Sequence, residues 1–383
     1  MGSLENKTSV DKMEYDTKEK LAALSVIDGL TLVKVQRSQR LVKALWRELT
    51  RPLTILQYLA GGHPLPESAP PAPDTEFEYT IQIPMRDGSR QQEARVHKPS
   101  TSTGAKSPVI VLIYGGAFTM GDCHQMSPWA RIARKLFNAT VINLSYRLAP
   151  THPFPAAPND VEDGLKWVSE NAHTLGGDLS AGFVIGGPSA GANLAAVMAQ
   201  KMVDGATKLG APLTGVWLLA PLFLEDDIVP PKYKDIFLAR EQNAEAPIFS
   251  KAAWGYLAAN YKADIKSVDY SPFNSKNPHV GMPRTVVQVG GLDFLRDDGL
   301  VYEKALRAHG VETRLDVYPG APHGHFIFPG VKSAFKANLD IFRGLGWLLK
   351  QEVSEDDIKK AVVADPFMTV PEKSSTAYDA IYR

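Results

Sequence analysis

From about residue 76 onward, apolar runs alternate with amphipathic stretches. Val109–Tyr114 is a continuous apolar run, the pattern of a strand buried on both faces. Val141–Ser145, Phe183–Ile185, Gly215–Leu219, Thr285–Val289 and Thr313–Tyr318 read as further strands. Between them, helical patterns cover Pro128–Leu136, Asn159–Ala172, Ala192–Val203, Asp297–His309 and roughly Val331–Leu349. In the second of these, Val161, Leu165, Trp167 and Val168 supply the apolar positions. Glu76–Pro84 alternates polar and apolar residues, Arg86-Asp87-Gly88 is a turn, and Gln92–His97 is a second strand, which together predict an antiparallel edge. Strand–helix alternation over this length predicts an α/β fold with a mostly parallel central sheet and helices on both faces.

Two regions break the pattern. Residues 225–270 hold charges, Pro230, Pro231 and Pro247, and the aromatics Tyr233, Phe237, Phe249, Trp254, Tyr256 and Tyr261. They read as an insertion forming part of a cap, with the aromatics mainly packing it. Upstream, Leu41, Val42, Leu45, Trp46 and Leu49 share one helical face within Lys18–Leu59, opposite Arg37, Arg40, Lys43, Arg47 and Arg51. A membrane-surface helix would show such a face. A helix packed on the protein with a solvated basic side explains it more simply, because the apolar stripe is not unusually wide. Pro64–Pro73 reads as a linker. The expected organisation is a helical cap segment and linker over 1–75, core over 76–224, cap insertion over 225–270, core over 271–350 and a C-terminal extension over 351–383.

Composition narrows the function classes. The chain has 383 residues, 44% hydrophobic and 22% charged, with 42 Lys plus Arg against 42 Asp plus Glu. A balanced charge gives no electrostatic footprint for nucleic acid. The single cysteine, Cys123, excludes an intrachain disulfide and a multi-cysteine metal cluster. No run approaches the roughly eighteen apolar residues of a spanning helix, and the first residues lack the apolar core of a secretion signal. A cytoplasmic protein without stable membrane insertion is expected, and a homodimer is compatible with the sequence.

The chemistry centres on Gly187-Pro188-Ser189-Ala190-Gly191, between an apolar strand and an Ala-rich helix. A serine on so sharp a turn projects its hydroxyl above the sheet, and the two glycines let strand and helix approach closely. The following helix aims its first N–H groups at the same place. Such a serine needs a base, a group to orient that base, and donors for an oxyanion. Gly115-Gly116-Ala117 follows the strand ending at Tyr114, where backbone N–H groups can face a cleft. The base is expected on a late loop, where Ala321-Pro322-His323-Gly324-His325 offers His323 and, in another register, His325. Scattered histidines such as His63, His97 and His173 read as surface or hydrogen-bonded polar residues. Asp293, four residues after Val289, fits the orienting acid, whereas Asp297 and Asp298 fit a helix N-terminus. The order Ser189, Asp293, His323 suits this architecture.

Taken together, these segments resemble the hormone-sensitive-lipase-like branch of the α/β-hydrolases, over roughly Pro108–Leu349. Tyr114-Gly115-Gly116-Ala117-Phe118 resembles that family's His-Gly-Gly-Gly-Phe motif, and Gly187–Gly191 its Gly-Asp-Ser-Ala-Gly elbow. Tyr146–Pro150 with His152–Ala157, Gly291–Asp297, and His323-Gly324-His325 in place of His-Gly-Phe resemble further family loops. The resemblance implies an α/β-hydrolase fold with a helical cap built from the N-terminal helices and an insertion. It implies Ser189 as nucleophile, His323 as base and Asp293 as the residue orienting it. Gly116, Ala117 and Ala190 would supply oxyanion N–H groups, with Gly115 shaping the turn. Tyr114 and Pro188 stand where the motifs have other residues, and Ala117 replaces a glycine that is needed only if φ is positive. Such departures suggest a divergent substrate, as in fungal enzymes of secondary metabolism.

The expected reaction is therefore hydrolysis of a small to medium carboxylic ester through an acyl-enzyme, with neither metal nor cofactor. The same site would also serve acyl transfer, thioester release or cyclisation of a natural product. A ligand receptor on an inactive scaffold, as in the plant gibberellin receptors, is disfavoured because His323 is present.

Overall fold

A computed structural model describes residues 74–99, 106–328, 331–365 and Met368. The expected basic helix within 18–59 and the linker at 64–73 lie outside the described residues. The antiparallel edge is formed by β1 (Glu78–Pro84) and β2 (Gln91–His97), paired from Glu78↔His97 to Pro84↔Gln91. Then come β3 (Val109–Ile113), α1 (Ser127–Phe137), β4 (Thr140–Leu144), α2 (Ala156–Asn171), β5 (Phe183–Pro188), α3 (Ala190–Val203) and β6 (Gly215–Leu219). Residues 225–270 hold two 3-10 turns and the helices α4 (Ala239–Gln242) and α5 (Lys251–Tyr261). The chain continues through β7 (Arg284–Gly290), α6 (Arg296–Ala308), β8 (Thr313–Tyr318), α7 (Lys332–Leu349) and α8 (Glu355–Val363).

The strands form one sheet in the order β1-β2-β4-β3-β5-β6-β7-β8. From β4 to β8 all pairings are parallel, and β2 joins β4 antiparallel. Every residue of β3, β4, β5 and β6 is buried, which is why those strands read as unbroken apolar runs. Helices cover both faces. On β7, Val286 packs against Gly344 of α7, while Val287 and Val289 pack against Gly299 of α6. Successive side chains of a strand point to opposite faces, so α6 and α7 lie on opposite sides of the sheet. α1 meets α7 and α8, and α2 meets α3.

Helix α8 was not foreseen. Ser354 caps it, its hydroxyl accepting from Asp357 N at 3.1 Å, and Glu355, Asp356 and Asp357 fill its first turn. Ile358 and Val362 are buried and hold it on the core. Of the aromatics in 225–270, Tyr233, Phe249, Trp254 and Tyr261 are buried, whereas Tyr256 is 49% exposed. Among the described residues no helix is long and apolar enough to cross a membrane.

Candidate active site

Ser189 sits between β5 and α3 with φ 54° and ψ −119°, in the left-handed half of backbone space. A non-glycine residue held there costs about 1–3 kcal/mol, which the surroundings must supply. They do so by close packing. A β-carbon at Gly187 or Gly191 would stand 2.0 Å from the carbonyl oxygen of Ile113, so only glycine lets the turn lie against the end of β3. Ser189 N donates to Leu219 O at 2.7 Å, and Asn193 N donates to Ser189 O at 3.0 Å. The Asn193 amide then donates to the carbonyls of Leu222 and Tyr270, at 2.7 and 2.8 Å.

Two later loops meet this serine. His323, after β8, places Nε2 3.0 Å from Ser189 Oγ. Its Nδ1 lies 2.9 Å from Asp293 Oδ2, after β7. The other Asp293 oxygen accepts from Leu295 N at 2.8 Å, and Asp293 is buried. With Nδ1 carrying the proton toward Asp293, Nε2 is left as an acceptor facing the serine. The ring of Phe249, just before α5, lies 4.7 Å from the His323 ring. His325 is elsewhere: fully buried beside Tyr318 and Phe326, with neither ring nitrogen hydrogen-bonded, and burial lowers its pKa to about 3. Of the two histidines offered by the loop, His323 is the one near Ser189.

The Gly115–Ala117 turn abuts the same serine. A β-carbon on Gly115 would lie 3.3 Å from Ser189 Cβ, and one on Gly116 would collide with Met120 O at 2.2 Å. Gly116 has φ 128°, and Ala117 and Phe118 have φ 50° and 63°. The alanine thus occupies a left-handed position despite its β-carbon, which the sequence did not reveal. The turn is braced by Ala149 N donating to Phe118 O at 2.9 Å, and by the Tyr261 ring stacked 3.9 Å from that of Phe118. Ala190, the first residue of α3, stands next to Ser189 with its N–H at the helix's positive end.

Some supporting residues escaped the sequence reading. Asn243, buried just after α4, donates its side-chain amide to Asp293 O at 2.8 Å and Gly291 O at 3.3 Å. Asp297 and Asp298 do lie in the first turn of α6, but their carboxylates reach other segments. Asp298 accepts from Phe223 N and Leu224 N at 2.8 and 2.9 Å, and Asp297 from Leu238 N and Ala239 N, each at 2.6 Å. Arg296 pairs with Asp297 at 2.7 Å, and Arg240 with Asp298 at 3.0 Å. The loop after β7 and the start of α6 therefore carry both the candidate acid and the contacts that fix residues 223–224 and 238–240.

A mostly parallel sheet with helices on both faces, and a serine on the turn after a central strand, is the architecture of the α/β-hydrolases. The profile of a family described as alpha/beta hydrolase fold matches residues 110–327, and the chain belongs to that family, in its hormone-sensitive-lipase-like branch. An AB hydrolase superfamily protein of Schizosaccharomyces pombe is 32% identical over 76% of this chain and 86% of its own length. A versiconal hemiacetal acetate esterase of Dothistroma septosporum is 31% identical over 64% of this chain and 74% of its own. The crystal structure of vibralactone cyclase superposes with a TM-score of 0.66 at 27% identity, covering 82% of this chain and 89% of that one. The chain is an esterase-type α/β-hydrolase.

Proposed function

We propose that the protein is a serine carboxylic-ester hydrolase working through an acyl-enzyme on Ser189. The observation that carries this reading is the pair of contacts at His323, 3.0 Å to Ser189 Oγ and 2.9 Å to Asp293 Oδ2. His323 Nε2 takes the hydroxyl proton as Oγ attacks the ester carbonyl carbon. Asp293 fixes the tautomer and stabilises the imidazolium. The N–H groups of Gly116, Ala117 and Ala190 receive the oxyanion, and Gly115 holds the turn against the serine. Collapse expels the alcohol, which takes its proton from His323. Water, deprotonated by the same nitrogen, then attacks the acyl carbon, and the acid leaves as Ser189 regains its proton. No step calls for a metal or cofactor. The substrate is a small to medium ester of secondary metabolism, a reading supported by the relative named as a versiconal hemiacetal acetate esterase. The cap consists of the N-terminal segment and residues 225–270, and the protein acts in the cytoplasm.

The test is hydrolysis of p-nitrophenyl acetate, butyrate and octanoate by the parent and by Ser189→Ala and Asp293→Asn. The parent turns over, Ser189→Ala does not, and Asp293→Asn loses on the order of 10⁴ in kcat. Equal activity of parent and Ser189→Ala would overturn the assignment. A second reading, cyclisation or acyl transfer on the same serine, is favoured by the likeness to vibralactone cyclase. In that case a fluorophosphonate labels Ser189 while the simple esters are not turned over.

A further inference from the structure

Six residues beyond Ala117, three different metal-binding side chains converge. Glu93 lies on β2, and Cys123 and His124 open the turn that precedes α1. Glu93 Oε1 is 2.9 Å from His124 Nε2 and 3.5 Å from Cys123 Sγ, and all three donor atoms lie within 4.8 Å of one another. It is the one group of this kind among the described residues. We propose that Glu93, Cys123 and His124 form a site for a zinc-class divalent ion, outside the esterase site.

The geometry suits that ion. Tetrahedral zinc with thiolate, imidazole and carboxylate ligands sets its donor atoms about 3.4–3.6 Å apart. The Sγ–Oε1 separation already matches, and Nε2 and Oε1 must part by roughly half an ångström. The scaffold is held without the ion: Asp122 caps the turn, accepting from His124 N at 2.8 Å, and Ser145 N donates to Glu93 O at 3.2 Å. The donors also provide an entry path. Cys123 is fully buried, whereas the side chains of His124 and Glu93 are 19% and 39% exposed. An ion arriving from solvent meets the carboxylate and imidazole first and the sulfur last, leaving its fourth position for water. A thiol, an imidazole and a carboxylate together select zinc, cobalt or nickel over magnesium or calcium, which want oxygen alone. Binding breaks the hydrogen bonds that His124 and Cys123 make to Glu93: the Nε2 proton moves through solvent to Nδ1, freeing the Nε2 lone pair, and the Cys123 thiol proton leaves to solvent as the Sγ–metal bond forms. A single cysteine cannot build a multi-cysteine cluster, but a mixed site needs only one.

That single cysteine makes the test specific. Cobalt(II) added to the metal-free protein, with any affinity tag removed, should give a thiolate-to-cobalt charge-transfer band in the near ultraviolet, saturating at one equivalent. Only Cys123 can produce it. Zinc should displace the cobalt, bleach the band and raise the melting temperature by a few degrees. His124→Ala and Glu93→Gln should weaken cobalt binding at least tenfold. Both side chains are partly exposed, so these variants stay folded if Cys123→Ser does not. No charge-transfer band in the parent, or equal binding by His124→Ala, would overturn the proposal. A zinc-induced rise in melting temperature without the band would also overturn it, since the ion would then sit elsewhere.

Discussion

Tyr114 and Tyr146 exchange hydrogen bonds: each hydroxyl donates to the other's backbone carbonyl, at 3.0 and 3.2 Å. Their rings stack between, with centroids 4.3 Å apart and planes 8° from parallel. Tyr114 stands where the resembling motif has histidine, immediately before the Gly115–Ala117 turn. The pair ties that turn to the Tyr146–Pro150 loop. Burial raises both phenols above their ordinary range, so both remain protonated donors. Removing one hydroxyl leaves a buried carbonyl short of a partner. Tyr114→Phe should lose about 1–3 kcal/mol of stability. Tyr146→Phe should behave alike, and the double variant should lose less than the sum because the two bonds share one scaffold. Chemical denaturation of the four proteins measures this, and kcat should fall more than KM rises.

Ala117 predicts a gain rather than a loss. At φ 50° its β-carbon is strained, and glycine has no such cost. Ala117→Gly should be neutral or stabilising by up to about 1 kcal/mol, glycine's greater freedom in the unfolded chain offsetting part of the relief. Esterase activity should persist, because the backbone N–H is kept. Ala117→Val should be destabilising, since a β-branched residue tolerates that conformation least. Thermal melting of both variants decides it.

His325 and His279 set a pH dependence. Burial lowers each from 6.5 to about 3: on His325 it outweighs the opposing pull of the Asp293 carboxylate, with His323 adding to the lowering, and on His279 it is joined by His309 and Lys232. As pH falls through 6.5 the unfolded chain takes up these protons and the folded protein does not until about 3. Stability is therefore full above 6.5 and is lost across that window. His325→Phe should lower the slope of stability against pH there by up to about 1.4 kcal/mol per pH unit. At pH 8 it should be neutral or stabilising by about 1 kcal/mol, because an unpaired buried ring N–H disappears. Denaturation between pH 4 and 8 reads both effects.

Asn243 lies fifty residues upstream of the aspartate it steadies. Asn243→Ala should cost about 1–3 kcal/mol, as two buried carbonyls lose a donor. If the acid loop loosens, kcat falls while KM for a short ester barely moves. An unchanged kcat with the full stability loss would limit Asn243 to holding its own segment against the loop after β7.

Much of this architecture was legible in the chain because local chemistry and fold agree. Gly215–Leu219 and Thr313–Tyr318 match the expected strands end to end, since each is bounded by turn residues. The second helix begins at Ala156 rather than Asn159 because Pro158 falls in its first turn, where proline's missing N–H costs nothing. Helix α3 begins at Ala190, two residues early, because the serine turn passes straight into it. Helix α8 had a readable signal in Ser354 followed by three acids. The positive φ of Ala117 had none, because alanine gives no warning of a left-handed turn. The partners of Asn243, Asp297 and Asp298 lie about 50 to 75 residues away and were equally hidden. Long-range pairing of polar side chains with backbone leaves no periodic trace in a sequence.

The moorings of Asp297 and Asp298 limit how freely residues 225–270 can be exchanged. Each carboxylate is fully buried and needs two backbone amides, at 223–224 and 238–239, in fixed places. A graft replacing residues 225–270 with a relative's segment would strand Asp297 without its two amides unless the new backbone returned to the same points. Arg296 would still pair with Asp297, but a buried carboxylate that loses two amide donors, beside an Asp298 that loses Arg240, is a costly defect in a core. Side-chain exchanges on the retained backbone keep both moorings, whereas wholesale replacement of the segment would also take Asn243 away from the Asp293 carbonyl.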